Sequence, residues 1–593
     1  MSQSDTSPIA SNAKEYMDID KLDELLLTVR KPGRYSGGEW NAVKKEWTSD
    51  RIKVLLGFPD VYEIGMSYLG IKILYGILNN RDDCLCERVF SPWVDFEDVL
   101  RKNKISLFSL ESRRAIKEFD IIGLSLAYEL SYTNVLNLLD LGGIPLRSSE
   151  RTGADPIIIA GGPSCYNPEP IAEFIDAFLI GDGEDAINEI VDLYKALRSS
   201  GGGSRMAILR GLAGIQGVYV PSLYKVDYNE DGTIRSFEPC DSGIPGKVVK
   251  RNVEDLDKAF YPTEQIVPNI GIIHDRIAIE IMRGCKHACK FCQAQVTYRP
   301  CRERSGKTIL ELAEKTYQAT GYDEISLLSL SSVDHSELHD IIKGLNKEFC
   351  RNAVSVSIPS LRIEDALKDL PSLISEIKKS GLTFAPEAGS EGLRKSLNKN
   401  INIDMLFEAA SESFRKGWRR VKLYFMIGLP GETEEDLAGI TSLINKVSNL
   451  KRDVDGRPAQ ITASINAFVP KPHTVFQCEA MESIESLEKK KEVLRSGLRS
   501  KLIALDFHPF NRSYLEAVLS RGDRTLSGVI YEAWRSGARF DGWQELFKYD
   551  IWRSSFEKLE VDGSFYALRP RKESELLPWD FIEVRQFDKT VSV

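Results

Sequence analysis

Arg283-Gly-Cys-Lys-His-Ala-Cys-Lys-Phe-Cys292 is the stretch that decides how this chain is read. It sets Cys285, Cys289 and Cys292 in a C-x-x-x-C-x-x-C pattern. A closed structural zinc site wants four ligands. A four-iron, four-sulfur cluster can take three thiolates and leave one iron open to a substrate or cofactor. These three cysteines are therefore the candidate metal ligands, and Phe291, just before the last of them, would shield the cluster face from water. A non-enzymatic iron-sulfur or zinc binding protein, the zinc completed by a distant histidine, is the competing reading. His287 inside the loop reads as a solvated histidine, and Cys301, nine residues on, as an incidental thiol.

Directly before the loop runs the apolar strand pattern Ile277-Ala-Ile-Glu-Ile-Met282. Further strand candidates follow at Ile325-Ser-Leu-Leu-Ser, Val354-Ser-Val-Ser-Ile, Leu382-Thr-Phe-Ala, Val421-Lys-Leu-Tyr-Phe-Met-Ile and Ile461 to Val469. They alternate with helical patterns such as Glu364 to Lys379 and Ile401 to Lys416, so residues 271–480 read as a partial (β/α)6 barrel with its chemistry at the strand carboxyl ends. Upstream, Val54-Leu-Leu-Gly-Phe, Ile121-Ile-Gly-Leu-Ser-Leu, Ile157-Ile-Ile-Ala-Gly-Gly and Ala177-Phe-Leu-Ile-Gly are short apolar runs between helical stretches. Buried parallel strands read this way. Residues 51–200 are thus expected to form a doubly wound, Rossmann-type domain closed by the linker-like Ser199-Ser-Gly-Gly-Gly-Ser. The fold class is α/β. Residues 1–50 read as an extension without chemistry, 201–270 as a linker with a small β segment, and 481–593 as a helical, aromatic-rich accessory unit.

The 593 residues carry 78 Lys and Arg against 87 Asp and Glu, a net charge of -9. That balance argues against a general polyanion binder. No apolar run approaches the ~18 residues of a membrane span. The opening Met-Ser-Gln-Ser-Asp-Thr-Ser lacks the basic and apolar regions of a secretory signal, so a cytoplasmic location is expected. Ten cysteines are too few for a disulfide scaffold in a chain of this size.

The three-cysteine spacing, the aromatic before the third cysteine and the strand before the loop together resemble the radical S-adenosylmethionine (SAM) superfamily. The resemblance implies a [4Fe-4S] cluster and S-adenosylmethionine as cofactors, and a reductant such as a flavodoxin or ferredoxin as partner. The superfamily's Gly-Gly-Glu after the second strand is replaced by Leu328-Ser-Leu-Ser-Ser-Val-Asp-His, which passes its contact with the SAM amino group to Ser329, Ser331, Ser332 or backbone carbonyls. After the third strand, Ser357 and Arg362 are suited to the SAM carboxylate. Ala385-Pro-Glu-Ala-Gly-Ser makes Glu387 a candidate for the amino group or ribose. Met426-Ile-Gly-Leu-Pro-Gly-Glu-Thr resembles a turn common in the superfamily, with Gly428 approaching the cofactor. His473 reads as an ordinary turn histidine.

The segment Phe58-Pro-Asp-Val-Tyr-Glu-Ile-Gly-Met-Ser resembles the cobalamin-binding domain, whose pattern is Asp-x-His-x-x-Gly followed by Ser-x-Leu and Gly-Gly. Asp60, Gly65, Ser125, Gly161 and Gly162 match; Tyr62 stands at the histidine position, and all six histidines lie at or beyond His274. The lower face of a bound cobalamin would therefore lack histidine from this domain. Domain order, with Lys31-Pro-Gly-Arg-Tyr and Phe540-Asp-Gly-Trp, is similar to a bacterial family of fused proteins of unassigned substrate. The function implied is reductive cleavage of SAM to a 5'-deoxyadenosyl radical, with cobalamin-dependent methyl transfer or related radical chemistry to follow. A cobalamin-independent enzyme modifying RNA is the alternative. Its feature is the run of Arg283, Lys286, Lys290, Arg299, Arg302, Arg304 and Lys307, read more readily as docking an acidic electron donor or the SAM carboxylate.

Overall fold

The computed structural model describes residues 19–199, 203–349, 351–358, 382–498 and 500–584. Arg362, the helical pattern at 364–379 and the opening segment lie outside them.

Six strands build the N-terminal sheet: β1 (Ile52–Phe58), β2 (Cys84–Phe90), β3 (Ile121–Ser125), β4 (Ile157–Gly161), β5 (Ala177–Leu179) and β6 (Val218–Tyr219). Their order is β2-β1-β3-β4-β5-β6, parallel throughout except for the antiparallel β5–β6 pair. Every residue of β1 and β2 is buried, as expected of strands covered on both faces. This is the doubly wound, Rossmann-like order whose ligand crevice lies at the carboxyl ends of the strands. Helix α1 (Leu69–Asn79) packs on β2, and α2 (Tyr132–Leu141) follows β3. Strand β6 carries the sheet past the boundary drawn at residue 200, beyond the glycine-rich linker.

The barrel strands form two parallel sheets. The first holds β7 (Ile277–Glu280), β10 (Glu324–Leu328) and β11 (Ser355–Ser357). Between β7 and β10 a short hairpin pairs β8 (Met282–Arg283) with β9 (Arg302–Glu303) and encloses the cysteine loop and helix α3 (Gln293–Thr297). The second sheet holds β12 (Leu382–Glu387), β13 (Arg420–Ile427), β14 (Gln460–Ala467) and β15 (Ile503–Phe507). Strand β15 extends the sheet past the boundary drawn at residue 480.

The longer helices after β13 are α4 (Glu434–Leu450), α5 (Ile484–Gly497), α6 (Phe510–Arg521), α7 (Leu526–Arg535) and α8 (Tyr549–Lys558). Helices α6 and α7 pack on the N-terminal domain, α7 against α2 and α6 against the turn at Glu129–Ser131, and α8 packs on α7. One continuous apolar core joins the N-terminal sheet, the second barrel sheet and this unit. The first barrel sheet keeps a smaller core of its own around Ile277, Ile279, Ile325 and Leu327.

Candidate active site at the cysteine loop

The hairpin that opens the loop needs a glycine. Gly284 has φ +93°, and a Cβ there would sit 2.8 Å from the Tyr298 carbonyl oxygen and 2.9 Å from Cys301 Cα. No L side chain fits that approach. The base of the loop is clamped to the N-terminal domain through the buried Arg283. Its guanidinium meets Asp182 at 3.0 Å, Glu184 at 2.6 Å and Glu280 at 2.9 Å. Arg302 reaches Asp182 at 2.7 Å from the other hairpin strand.

The far side of the loop is tied to the second barrel sheet. Lys290 N–H donates to the Leu397 carbonyl at 3.0 Å, and Asn398 Nδ2 to the Ala288 carbonyl at 2.9 Å. Phe291 packs against a small apolar group of Ala388, Leu393, Leu397, Leu429 and Phe468. The loop is thereby held across the barrel mouth. Cys289 is buried while Cys285 and Cys292 are half-buried. Burial pushes the Cys292 thiol up, as does the neighbouring Cys285, so a bound cation would have to hold these sulfurs as thiolates. Arg299 lies within electrostatic reach of Cys285, Cys292 and Cys301.

One pairing was not legible in the sequence. His287 Nε2 lies 2.9 Å from Asp334 Oδ2, and Cys285, His287 and Asp334 offer ligand atoms all within 4.8 Å of one another. Asp334 sits after β10, where the family's usual acid is missing. A carboxylate five or six residues past that strand was the available signal. Lys286 covers the same segment, donating to the Asp334 carbonyl at 2.7 Å and pairing with Glu303 at 2.8 Å.

The remaining expected contacts fall in different places. Ser329 and Ser332 hydrogen-bond each other at 2.8 Å. Ser331 is 1% exposed, and its hydroxyl has no partner among the described residues. Ser357 donates to Glu324 Oε1 at 2.9 Å, the oxygen that also meets Arg276 at 3.1 Å. Glu387 adopts φ +67° at an irregularity in the β12–β13 pairing, and Lys399 holds its carboxylate at 3.1 Å. Lys399 also lies within electrostatic reach of Cys292, which brings Glu387 towards the cysteine loop.

Gly428 has φ +77°, its N–H donates to Glu432 at 2.8 Å, and a Cβ would touch Leu487 of α5 at 3.0 Å. Those contacts are structural. His473 donates from Nε2 to the Tyr166 carbonyl at 3.0 Å, and burial pushes its pKa down to about 4, so it is a neutral tie between barrel and N-terminal domain. The basic run dissolves: Arg283, Arg302 and Arg304 are buried, and Lys286 is paired.

At the N-terminal crevice, Asp60 Oδ1 accepts from Val61 N–H at 2.7 Å and Trp543 Nε1 at 2.9 Å, and burial pushes its pKa up to about 6. Tyr62 is buried and donates to Glu39 Oε1 at 3.0 Å. Glu39 pairs with the buried Arg88, which also meets Glu111 at 2.6 Å. A Cβ on Gly65 would lie 2.2 Å from Phe90, and one on Gly162, at φ +116°, 2.6 Å from the Leu126 carbonyl. Leu126 N–H donates to Gly161 O at 2.7 Å, beside the register pair Ser125–Gly161. The six positions are thus engaged within the protein itself. Across the crevice, Thr133 donates to Asp541 at 2.7 Å, Phe540 N–H to Asn134 at 2.8 Å, and Lys471 bridges Glu129 at 3.0 Å and Glu516 at 2.9 Å.

Comparison with known families places this geometry. Residues 279–444 match the model of the Radical SAM superfamily, and residues 70–221 that of Radical SAM proteins, N-terminal. The chain thus carries radical SAM domains and is an enzyme of the class that uses a [4Fe-4S] cluster and S-adenosylmethionine. It is 28% identical over 475 residues to an uncharacterised protein of Methanocaldococcus jannaschii, covering 80% of this chain and 89% of that one. It is 25% identical over 263 residues to a tRNA-2-methylthio-N(6)-dimethylallyladenosine synthase of Syntrophomonas wolfei, covering 41% of this chain and 54% of the relative. Among solved structures, the radical S-adenosylmethionine methyltransferase TsrM of Kitasatospora setae, with cobalamin and a [4Fe-4S] cluster bound, aligns at TM-score 0.48. That alignment has 13% identity and covers 72% of this chain and 75% of the other. No described helix is long and apolar enough to cross a membrane.

Proposed function

We propose that Cys285, Cys289 and Cys292 hold the cluster and that the enzyme starts radical chemistry at the barrel mouth, next to the N-terminal domain. The observation that carries this reading is the loop itself: three cysteines on a segment anchored at one end by Arg283 and at the other by Phe291 and Lys290. A cluster held by these three cysteines would, when reduced, supply the single electron for reductive cleavage of S-adenosylmethionine to methionine and a 5'-deoxyadenosyl radical. The residues of the chain position the partners and keep water out. The buried Ser331 hydroxyl is free to accept a hydrogen bond from the SAM amino group. Glu387, held by Lys399, is the carboxylate we assign to the ribose or amino group. Asp334 and His287 stand beside Cys285 and fix that edge of the loop.

The finer reading is methyl transfer through cobalamin on a substrate of unassigned class. Its support is the sheet order and the crevice of the N-terminal domain, turned towards the barrel at Tyr166 and Glu129. In the arrangement described, protein fills that crevice, so the positions at Asp60, Tyr62, Gly65 and Gly162 do not form an open cradle. Cobalamin entry therefore depends on the Trp543–Asp60 and Lys471–Glu129 contacts parting.

The test uses full-length protein, reconstituted anaerobically with iron and sulfide and reduced with dithionite. Release of 5'-deoxyadenosine is expected, with Cys289→Ala lowering it by about 100-fold or more, the scale of losing an essential group. Undiminished cleavage in that variant would remove the cluster assignment. Protein from cobalamin-fed cells should carry near-stoichiometric cobalamin, read from its visible spectrum. None, with cleavage intact, would sink methyl transfer through cobalamin and leave the radical chemistry standing.

A further inference from the structure

A cavity of about 310 Å³ lies away from the cysteine loop, between α1, the strap at Asn41 and Val43, and the segment 260–266. Apolar side chains of Met66, Ile71, Tyr75, Phe260, Pro262 and Ile266 form much of its wall, and the carboxylate that also lines it, Glu264, is exposed to solvent. The volume falls within the range of small-molecule sites. One feature of its lining stands out chemically. Lys72 lines the cavity and is 8% exposed, yet no carboxylate among the described residues lies within ion-pairing distance of its ammonium. The contact made by Nζ is a long donation to Gln265 Oε1 at 3.4 Å. Asp275 attracts it from farther off, and Arg88 repels it.

Every other buried cation near this wall is matched. Arg88, which also lines the cavity, is held by Glu39 and Glu111. Asn79 spends its side chain on both backbone groups of Cys86. A buried ammonium with no counter-charge in contact is costly, and an anion entering the cavity offsets that cost. Burial already pushes the Lys72 pKa down to about 8.

We propose that this cavity is a binding site for a small monocarboxylate, whose charge meets Lys72 and whose aliphatic or aromatic body fills the apolar remainder. A single free cation suits a single negative charge; a phosphate dianion would bring a second charge with nothing to meet it. The site is independent of the cysteine loop. It connects to the barrel through hydrogen bonds from Gln265 Nε2 to Tyr261 OH at 2.8 Å and from Tyr261 OH to the Ala278 carbonyl of β7 at 2.9 Å. Strand β7 leads into the cysteine loop at its other end, so an occupant of the cavity touches the chain that positions the cluster ligands.

Titration calorimetry on the full chain with benzoate, 4-phenylbutyrate and octanoate, set against their neutral amides, acetate and phenyl phosphate, tests the assignment. At least one of the three carboxylates should bind ten-fold or more tightly than its own amide and than phenyl phosphate. Lys72→Met, which keeps the length and apolar stem, should lose that preference. In the unsubstituted protein the same carboxylate should protect Lys72 from reductive methylation, read by mass spectrometry, which holds even if the variant fails to fold. Binding no tighter than acetate, equal binding of amide and acid, a preference for phenyl phosphate, or unprotected Lys72 would each overturn the proposal.

Discussion

The cysteine loop and the crevice of the N-terminal sheet both lie at the carboxyl ends of parallel strands, and they treat their polar groups in opposite ways. In the crevice, Asp60, Thr133, Asn134, Glu129 and Asp541 are each matched to a group from the barrel or the C-terminal unit. At the loop, two of the three cysteines are half-exposed, Ser331 keeps an unmatched hydroxyl, and the Lys286–Glu303 ion pair is partly open to water. The contrast separates two uses of one architecture. Groups that must take a ligand are left short of partners, while groups that join domains are satisfied within the chain.

Breaking the crevice side should cost most. Arg88 bridges Glu39 and Glu111 with 1–2% side-chain exposure on all three. Arg88→Met leaves two carboxylates buried without their cation and is expected to lower stability by about 3–5 kcal/mol, measured by urea denaturation. A loss below about 1 kcal/mol would mean that the crevice is as open as the loop.

A smaller effect sharpens the comparison through pH. Burial pushes Asp541 up to about 6 from its ordinary 3.8, so the folded state binds that proton more tightly than the unfolded chain. The sign follows: the Asp541 contribution falls as pH rises from about 4 to about 6 and stays low above it, by up to about 3 kcal/mol. Asp541→Asn keeps an acceptor for Trp552 Nε1 and should flatten this slope. An unchanged slope in the variant would place the proton elsewhere.

The loop side should respond least. The Lys286–Glu303 pair has 51% and 24% exposed side chains, and Lys286→Met is expected to cost under about 1 kcal/mol. A loss as large as that of Arg88→Met would erase the distinction between the regions.

Much of this was legible because parallel, doubly covered strands announce themselves as apolar runs; β1, β3, β4, β7 and β13 all read that way. The cysteine spacing was equally plain. Strand β15 was not, because Ile503-Ala-Leu-Asp-Phe lies at the sheet edge, exposes alternate residues and follows a charged helix. The pairing within the basic run was not legible because part of it is remote: Asp182 and Glu184 sit about a hundred residues before Arg283 and come from another domain. Likewise the extension read as chemically silent supplies Glu39, the partner that turns Tyr62 into the core. Glycine patterns carried the least information. Gly65 and Gly162 are required by Phe90 and by the Leu126 carbonyl, needs that look the same in sequence as room for a cofactor.

The hydrogen bond from Thr133 to Asp541 spans 408 residues of chain. During synthesis at about 5–20 residues per second, Thr133 would emerge roughly 20–80 s before its partner Asp541. For that interval Asn134, Asp60 and the face of α2 are bare on the nascent chain. The crevice can close only once the helices from residue 510 onward have been made, because they carry its C-terminal partners.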